Sequence, residues 1–175
     1  MKIQIIGYSG AGKSTLATKL GELYDIPVLH LDNLHWYGQW QEHTDDDMTA
    51  QLETFLNEQE SWVIDGNYFR IAPQRFTMSD ITVFLDFGKC SCFLAAWHRY
   101  RQNKGKPRES CPCPEKFDRD FRRWLWHDGR TQKRKLRYRD HLAKATGLKV
   151  VLKNRRQVNA FLKDLTATIK KEEQP

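Results

Sequence analysis

Residues 7–15 read GYSGAGKST, and this stretch decides the fold. Its first eight positions match the pattern G-x4-G-K-[ST]. An apolar run, KIQII at 2–6, precedes it, and a helical pattern begins at Lys13. A strand, a glycine-rich loop and a helix in this order are the context in which the pattern forms a phosphate-binding P-loop. The sequence therefore predicts that the chain binds a nucleoside triphosphate.

Each residue type in the loop has a physical reason. Glycines permit the backbone angles and the close approach that a wrapped phosphate requires, and the N–H groups at the helix start form an anion cradle. We expect Lys13 to reach the β- and γ-phosphates of ATP, Ser14 to ligate Mg²⁺ and Thr15 to contact the α-phosphate. The predicted nucleotide-binding residues of the loop are Gly7, Ser9, Gly10, Ala11, Gly12, Lys13, Ser14 and Thr15.

Strand and helix patterns alternate along the rest of the chain. Further strands are predicted at 27–31, 62–65, 81–87 and 148–152, and helices at about 13–24 and 45–60, up to about 103, from Pro114, from about 131 to Gly147, and over 158–169, before a frayed tail at 170–175. This alternation predicts an α/β fold with three layers, α/β/α, in which right-handed crossovers cover both faces of a parallel sheet.

Three aspartates follow predicted strands, where ligands of such sheets bind. Mg²⁺ at a P-loop needs a second protein contact, and Asp65 is favoured because Gly66 lets the chain turn away from the phosphates. Asp86 is the alternative, as a metal contact or a capping carboxylate. Asp32 either holds and deprotonates an attacking hydroxyl or caps a turn, and both interpretations stay open.

Charge is divided unevenly along the chain. Residues 98–141 hold 15 Lys and Arg against 6 Asp and Glu, whereas residues 20–69 hold no Lys or Arg and 11 acidic residues. A basic block binds either nucleic acid or the phosphates of a nucleotide, and the P-loop favours the second. With loop 104–114 as a lid, we expect at least two of eight residues to enter the site: Arg99, Arg101, Lys104, Lys106, Arg108, Arg119, Arg122 and Arg123.

Residues 32–61, which follow the second predicted strand and include Asp32, contain no Lys or Arg. A monophosphate would meet several carboxylates there, at about 1 kcal/mol or more per close like-charge pair. Arg70 and Arg75 would offset this in part. A neutral or cationic hydroxyl compound, or a nucleoside, is the more compatible acceptor. Trp36, Tyr37 and Trp40 either stack on it or pack within the segment.

Several classes of protein are disfavoured. The four cysteines form two C-x-C pairs, whereas zinc sites usually use C-x2–4-C, so we expect reduced cysteines rather than zinc. No apolar run approaches ~18 residues and no secretory signal is evident, so we expect a cytoplasmic protein without a membrane partner. No N-K-x-D supports guanine specificity, and no nucleic-acid-reading motif occurs. The oligomeric state is not predicted.

The elements GYSGAGKST, HLDNLHW, VIDGNY, LDF, QNKGKPR, CPE and FRRWLW follow one another over nearly the whole chain. Together they resemble the DNA topology modulation protein family, which is related to adenylate kinase. The resemblance implies one nucleoside-monophosphate-kinase-like P-loop domain over residues 1–175, with strand order 2-3-1-4-5. It also implies an acceptor-side subdomain at 32–61 and a mobile lid at about 104–118.

The same resemblance assigns single residues. It places Asp65 near Mg²⁺, Arg99 before the lid, Arg108 within it, and Arg155 at the adenine pocket. Ala95 departs from the family, which often has another arginine there. The leading hypothesis is a kinase that transfers a phosphoryl group from ATP to an unidentified small molecule or nucleotide, with Lys13, Asp32, Arg99 and Arg108 as catalytic residues. The alternative is a non-catalytic nucleotide-binding regulator that acts on nucleic acid through its basic face.

Overall fold

The computed structural model describes residues 1–172. Its elements are β1 (Lys2–Gly7), α1 (Lys13–Tyr24), β2 (Val28–His30), α2 (Leu31–His35), β3 (Trp36–Tyr37), β4 (Gln41–Glu42), α3 (Asp45–Glu58), β5 (Trp62–Asp65), α4 (Arg75–Met78), β6 (Ile81–Leu85), α5 (Lys89–Asn103), α6 (Arg119–Trp126), a 3-10 turn (Asp128–Arg130), α7 (Gln132–Lys144), β7 (Leu148–Leu152) and α8 (Arg155–Glu172). Within residues 1–172, no helix is long and apolar enough to cross a membrane.

Five parallel strands form the central sheet, in the order β2-β5-β1-β6-β7. Counted along the sheet strands alone, this is the predicted order 2-3-1-4-5, and the predicted α/β fold is confirmed. Every residue of β5 and β6 is buried, because helices cover both faces of a parallel sheet. The carboxyl ends of β2, β5 and β1 meet at one edge, beside the glycine-rich loop.

Two apolar clusters stabilise this arrangement. The larger one packs α1, α7 and α8 against β1 and β6. The smaller one packs Leu31, Met48 and Leu52 against Trp62 and Ile64. Because each such fully buried side chain contributes about 1.5–3 kcal/mol, the smaller cluster fixes α2 and α3 on the sheet, next to the end of β5.

Two predicted strands are shorter in the structure. β2 ends at His30, so Asp32 lies in the first turn of α2 and not at a strand end. β6 ends at Leu85, which leaves Asp86 just beyond it. The sequence also did not predict the β3–β4 hairpin, whose strands are two residues each and too short to show alternation.

Two predicted helix boundaries were wrong. α6 begins after Asp118, whose carboxylate accepts a hydrogen bond from the backbone N–H of Phe121 at 2.8 Å, and not at Pro114. α7 ends at Lys144. Gly147 does not end it in a left-handed conformation. A Cβ at Gly147 would lie 2.2 Å from the carbonyl oxygen of Asp80. Gly147 is therefore required for close backbone approach. α8 continues to Glu172, and residues 173–175 of the predicted frayed tail lie outside the described residues.

Candidate active site

The glycine-rich loop has the backbone of an anion cradle. Gly10 and Gly12 have φ angles of +79° and +90°, in the left-handed region, and a Cβ on Gly10 would lie 2.2 Å from the carbonyl oxygen of Cys92. The N–H of Ala11 donates to the carbonyl of Tyr8 at 3.0 Å, which closes the turn before α1 begins at Lys13. Only glycine fits this path without strain.

Side chains distant in sequence hold the loop in place. Asn67 pairs with Gly7 twice: it accepts from the backbone N–H at 3.0 Å and donates to the carbonyl at 2.9 Å. Tyr138 donates to the same carbonyl at 3.2 Å, and Trp124 donates to the hydroxyl of Ser9 at 3.2 Å. The loop is thus preorganised by a shell of fixed partners.

Lys13 brings a partly buried ammonium group to this loop. Its Nζ lies 3.4 Å from the carbonyl oxygen of Tyr8. Burial lowers the pKa of Lys13, the negative charges of Asp32 and Asp65 raise it, and Arg99 lowers it. In the part of the chain that is described, no carboxylate lies within salt-bridge distance of Lys13, so its charge is available to an anion in the cavity.

Ser14, Asp65 and His30 form one connected group. The hydroxyl of Ser14 donates to Oδ2 of Asp65 at 2.9 Å, while Nδ1 of His30 pairs with Oδ1 of the same carboxylate. The parallel register sets His30 directly beside Asp65. Sequence reasoning did not identify His30, although it lies two residues before Asp32. Asp86 lies elsewhere, in a separate hollow with Lys89 and Lys135.

Asp32 lines a large cavity in front of the loop. Tyr68 donates its hydroxyl to Oδ1 of Asp32 at 2.7 Å. Burial and the charge of Asp32 raise the pKa of Tyr68, so the phenol stays a proton donor. Among the described residues, this is the only hydrogen bond that the Asp32 side chain makes. It does not cap a turn, and its remaining lone pairs are free to accept a hydroxyl.

The cavity has a volume of about 910 Å³, and the P-loop and Asp32 both line it. Its acceptor-side wall is aromatic and acidic, formed by His35, Trp36, Trp40, Glu42, Asp45 and Tyr68. Tyr37 is not part of this wall, because its side chain is half exposed and its ring contacts His43 instead.

The two arginines expected to offset this acidity are differently placed. Arg75 is fully buried, and it donates to Oε1 of Gln4 at 2.9 Å and to carbonyl groups in residues 68–72. Burial lowers its pKa to about 9. Arg75 is therefore a core residue, and the expectation that it faces the acceptor was wrong. Arg70 lines the cavity but pairs with Asp45 at 3.0 Å.

Arg75→Ala is expected to lower the free energy of unfolding by about 3 kcal/mol, because it leaves a cavity and several buried acceptors without a donor. Urea unfolding followed by circular dichroism measures the change. Arg70→Ala, at an exposed position, is the control and should shift stability by no more than about 0.5 kcal/mol. Equal stabilities of the two variants would contradict the assignment of Arg75 to the core.

Of the eight basic residues, at least two of which were expected to enter the site, Arg99 and Arg108 line the cavity. Nε and Nη2 of Arg99 donate to Oε1 of Glu115 at 2.9 and 2.8 Å, and Nε of Arg108 donates to Oε2 at 2.7 Å. The other six are absent from the cavity wall. The two arginines that the resemblance placed before and within the lid thus line the same cavity as the P-loop, and both bind Glu115.

Three further arginines line the cavity: Arg130, Arg134 and Arg137. Arg130 lies 4.0 Å above the ring of Tyr8. Arg134 and Arg137 are three residues apart on α7, a spacing that places both on one face of the helix and could have identified them, whereas Arg130 ends the 3-10 turn before it. Arg134 and Arg137 thus line the same cavity as the P-loop, and nothing in the described structure favours a nucleic-acid partner.

Arg155, the first residue of α8, also borders the loop. Its guanidinium lies 5.1 Å above the ring of Phe87, and a Cβ on Gly12 would lie 2.3 Å from its Nη1. Arg155 lines the same cavity as Lys13.

The four cysteines are all free thiols; Cys90 is exposed and the other three are buried. Burial raises the pKa of Cys111 to about 11. Over residues 1–169, whose side chains are described, no group of three or more His, Cys, Asp or Glu side chains is arranged to hold a metal ion by itself.

Comparison with known proteins gives structural likeness only. No protein-family model matches the chain, and no curated protein matches it. Shikimate kinase from Bacteroides thetaiotaomicron is 16% identical with a TM-score of 0.52, over 97% of this chain and 98% of that one. Deoxyadenosine kinase from M. mycoides, with dCMP and dCDP bound, is 12% identical with a TM-score of 0.55, over 95% of this chain and 100% of that one.

An uncharacterized protein from Eubacterium ventriosum is 18% identical, with a TM-score of 0.52 over 98% of both chains. These likenesses establish the α/β fold that P-loop kinases share. They do not confirm the resemblance to the DNA topology modulation family.

Proposed function

We propose that this chain is an ATP- and Mg²⁺-dependent kinase that transfers a phosphoryl group to a hydroxyl of a small molecule lacking phosphate. One observation carries the proposal: a single cavity is lined by the P-loop with Lys13 and also by Asp32 with a group of aromatic and acidic side chains. Within this proposal, residues 1–175 form one kinase-like domain of the kind suggested by the DNA topology modulation resemblance. Residues 32–61 are its acceptor-side subdomain and about 104–118 its lid.

The donor half fits ATP and Mg²⁺. The loop around Gly10 leaves no room for a Cβ, as a backbone that wraps phosphate requires. The oxygens of Ser14 and Asp65, 2.9 Å apart, are the hard ligands that Mg²⁺ prefers, and they would hold the ion directly or through its waters. Mg²⁺, when bound, neutralises charge on the transferring phosphoryl group.

Lys13 and the arginines supply the remaining positive charge. A triphosphate would give the desolvated ammonium of Lys13 the anionic partner that it lacks in the described structure. Arg99 and Arg108 would approach the phosphates from the lid, whereas Arg155, beside Gly12, would border the adenine. Fixed cations around developing charge are the main source of catalysis in phosphoryl transfer.

Asp32 would act on the acceptor. Its carboxylate accepts the proton of the attacking hydroxyl as that oxygen bonds to the γ-phosphorus, and ADP leaves with the electrons of the broken P–O bond. Tyr68, fixed as a donor to Oδ1, keeps the carboxylate oriented. The products are ADP and a phosphate ester, with the proton on Asp32 until solvent takes it.

The acceptor wall disfavours a phosphorylated acceptor. Asp32, Glu42 and Asp45 line it, and two basic side chains that line the same cavity are already paired with carboxylates. Arg70 pairs with Asp45 at 3.0 Å, and Lys116 lies 3.6 Å from Asp118. A monophosphate there would face repulsion of about 1 kcal/mol or more per close pair of like charges.

The test is a screen of phosphoryl transfer from Mg·ATP, followed by ADP release, over three classes of acceptor. We expect turnover with a compound among the nucleosides or the neutral and amino-bearing hydroxyl compounds, and none above the rate in water with AMP, CMP or UMP. Fast turnover with any of these monophosphates would contradict the proposed acceptor class. Lys13→Ala protein is the blank for contaminating kinases.

Asp65→Asn is expected to remove most of the enhancement of ATP affinity by Mg²⁺, about tenfold or more. The neutral amide is a poorer ligand for the ion and a poorer acceptor for Ser14. Titration calorimetry with ATP, with Mg²⁺ and with EDTA, measures it. Asp86→Asn, at the other strand-end aspartate, is the matched control. A Mg²⁺ dependence lost in Asp86→Asn but kept in Asp65→Asn would reverse the assignment.

A further inference from the structure

Glu115 is a buried carboxylate in the segment between α5 and α6. Only 7% of the residue is exposed. Its Oε1 accepts from Nε and Nη2 of Arg99 at 2.9 and 2.8 Å, and its Oε2 accepts from Nε of Arg108 at 2.7 Å. One carboxylate thus joins an arginine of α5 to an arginine of the lid segment, and each oxygen serves one of them.

The backbone of Glu115 is fixed as well. Its N–H donates to the carbonyl of Lys106 at 3.0 Å, and its carbonyl accepts from Gly105 at 3.3 Å. Nη1 of Arg108 donates to Ser110 at 2.9 Å. These two backbone hydrogen bonds fix the position from which the Glu115 side chain reaches the two arginines.

Each guanidinium keeps a free donor. Nη1 of Arg99 and Nη2 of Arg108 have no hydrogen-bond partner among the described residues, and both arginines line the cavity in front of Lys13. Because Glu115 accounts for one negative charge against two positive ones, the group retains a net charge of +1. It can still attract and bind an anion.

We propose that Glu115 is a positioning residue that holds Arg99 and Arg108 together, with their free donors directed at the terminal phosphate of the donor nucleotide. This inference rests on the proposed function. Without the carboxylate, the two guanidinium groups would repel each other and gain rotamer freedom. The triphosphate would then have to order both arginines as it binds, at a cost in affinity.

Binding of Mg·ADP and of the non-hydrolysable Mg·AMP-PNP, measured by titration calorimetry, tests this inference without an acceptor. Only the second nucleotide carries a γ-phosphate. In Glu115→Gln, the amide can accept from one arginine but opposes the other with its own donor. We expect affinity for Mg·AMP-PNP to fall about tenfold or more and affinity for Mg·ADP to stay within about twofold. Glu109→Gln is the control, because Glu109 is exposed in the same segment.

A double-mutant cycle separates positioning from a structural role. If Glu115 acts through the two arginines, Glu115→Gln should cause no further loss of Mg·AMP-PNP affinity in the Arg99→Ala/Arg108→Ala background. Glu115→Asp, which keeps the charge on a shorter stem, should show the same selective loss to a smaller degree. If circular dichroism shows that Glu115→Gln is poorly folded, Glu115→Asp provides an independent test of the same inference.

Several results would overturn the inference. They are equal losses for both nucleotides, no loss for either, or a further loss in the double-alanine background. Equal affinities of the wild-type protein for Mg·ADP and Mg·AMP-PNP would overturn it while leaving the kinase proposal intact. A wild-type protein that binds neither nucleotide would overturn both.

Discussion

Lys13→Ala is expected to lower both Mg·ATP affinity and phosphoryl transfer by at least about a hundredfold. The ammonium group lies over the loop, near Tyr8 and the carboxylates of Asp32 and Asp65. It is therefore placed to contact the β- and γ-phosphates, where alanine offers neither charge nor donor. Titration calorimetry with Mg·ATP measures the first effect, and ADP release with an accepted hydroxyl compound measures the second.

Lys19→Ala is the matched control for this change. Lys19 lies on the same helix, α1, but is exposed, so the variant has the same net charge and should bind Mg·ATP as the wild-type protein does. A charge-assisted contact of Lys13 with phosphate should contribute much more than about a threefold change in affinity. If Lys13→Ala retained more than about a third of the wild-type affinity for Mg·ATP, the loop would therefore not be a triphosphate site.

Asp32→Asn is expected to lower phosphoryl transfer by about 10²–10⁴-fold and to leave Mg·ATP affinity within about twofold. The amide keeps the size of the carboxylate and can still accept from Tyr68, but it cannot take a proton from the acceptor hydroxyl. The effect should appear in kcat with the best acceptor of the screen, while calorimetry with Mg·ATP shows an intact donor half.

Asp46→Asn removes a charge from the same acceptor-side segment and is the control. Asp46 is exposed in the first turn of α3, and its side chain makes no hydrogen bond or salt bridge among the described residues. An unchanged kcat in Asp32→Asn would assign Asp32 a packing role beneath Tyr68. Loss of Mg·ATP binding in that variant would instead place Asp32 in the donor half.

The features that the sequence predicted well are those encoded locally. The loop at 7–15 and the strand that precedes it are contiguous patterns. The cap of α3 is local as well, since the hydroxyl of Thr44 accepts from the N–H of Asp47 at 3.1 Å. The confirmed order of the sheet strands came from the resemblance to a known family and not from periodicity. A pattern of alternating elements gives a parallel sheet but not its strand order.

The missed features depend on contacts between distant residues. Asn67 and Tyr138 hold Gly7 from 60 and 131 residues away, and no local pattern marks such partners. The prediction that Arg75 faces the acceptor was wrong for a related reason: an arginine usually lies at the surface. Here, Gln4 and several carbonyl groups supply a complete set of buried acceptors, which the sequence does not reveal.

The lid shows a mixed result. Its charge and its glycine and proline content predicted a loop, yet Pro114 was expected to begin a helix. Glu115, the next residue, instead joins the two sides of the loop and binds Arg99 and Arg108. The contacts of the buried Glu115 carboxylate with its two arginine partners stabilise a non-helical conformation at this residue. The loop therefore continues as far as the cap at Asp118.

Phosphorus NMR of the wild-type protein with Mg·ATP and the hydroxyl compounds of the screen would observe the proposed phosphoryl transfer itself. We expect a new phosphate-monoester resonance that grows in step with ADP, requires Mg²⁺, and is absent with Lys13→Ala. We expect no conversion of AMP, CMP or UMP to a diphosphate. A diphosphate formed from one of those monophosphates, or ATP left unchanged with every acceptor, would refute the proposed kinase activity.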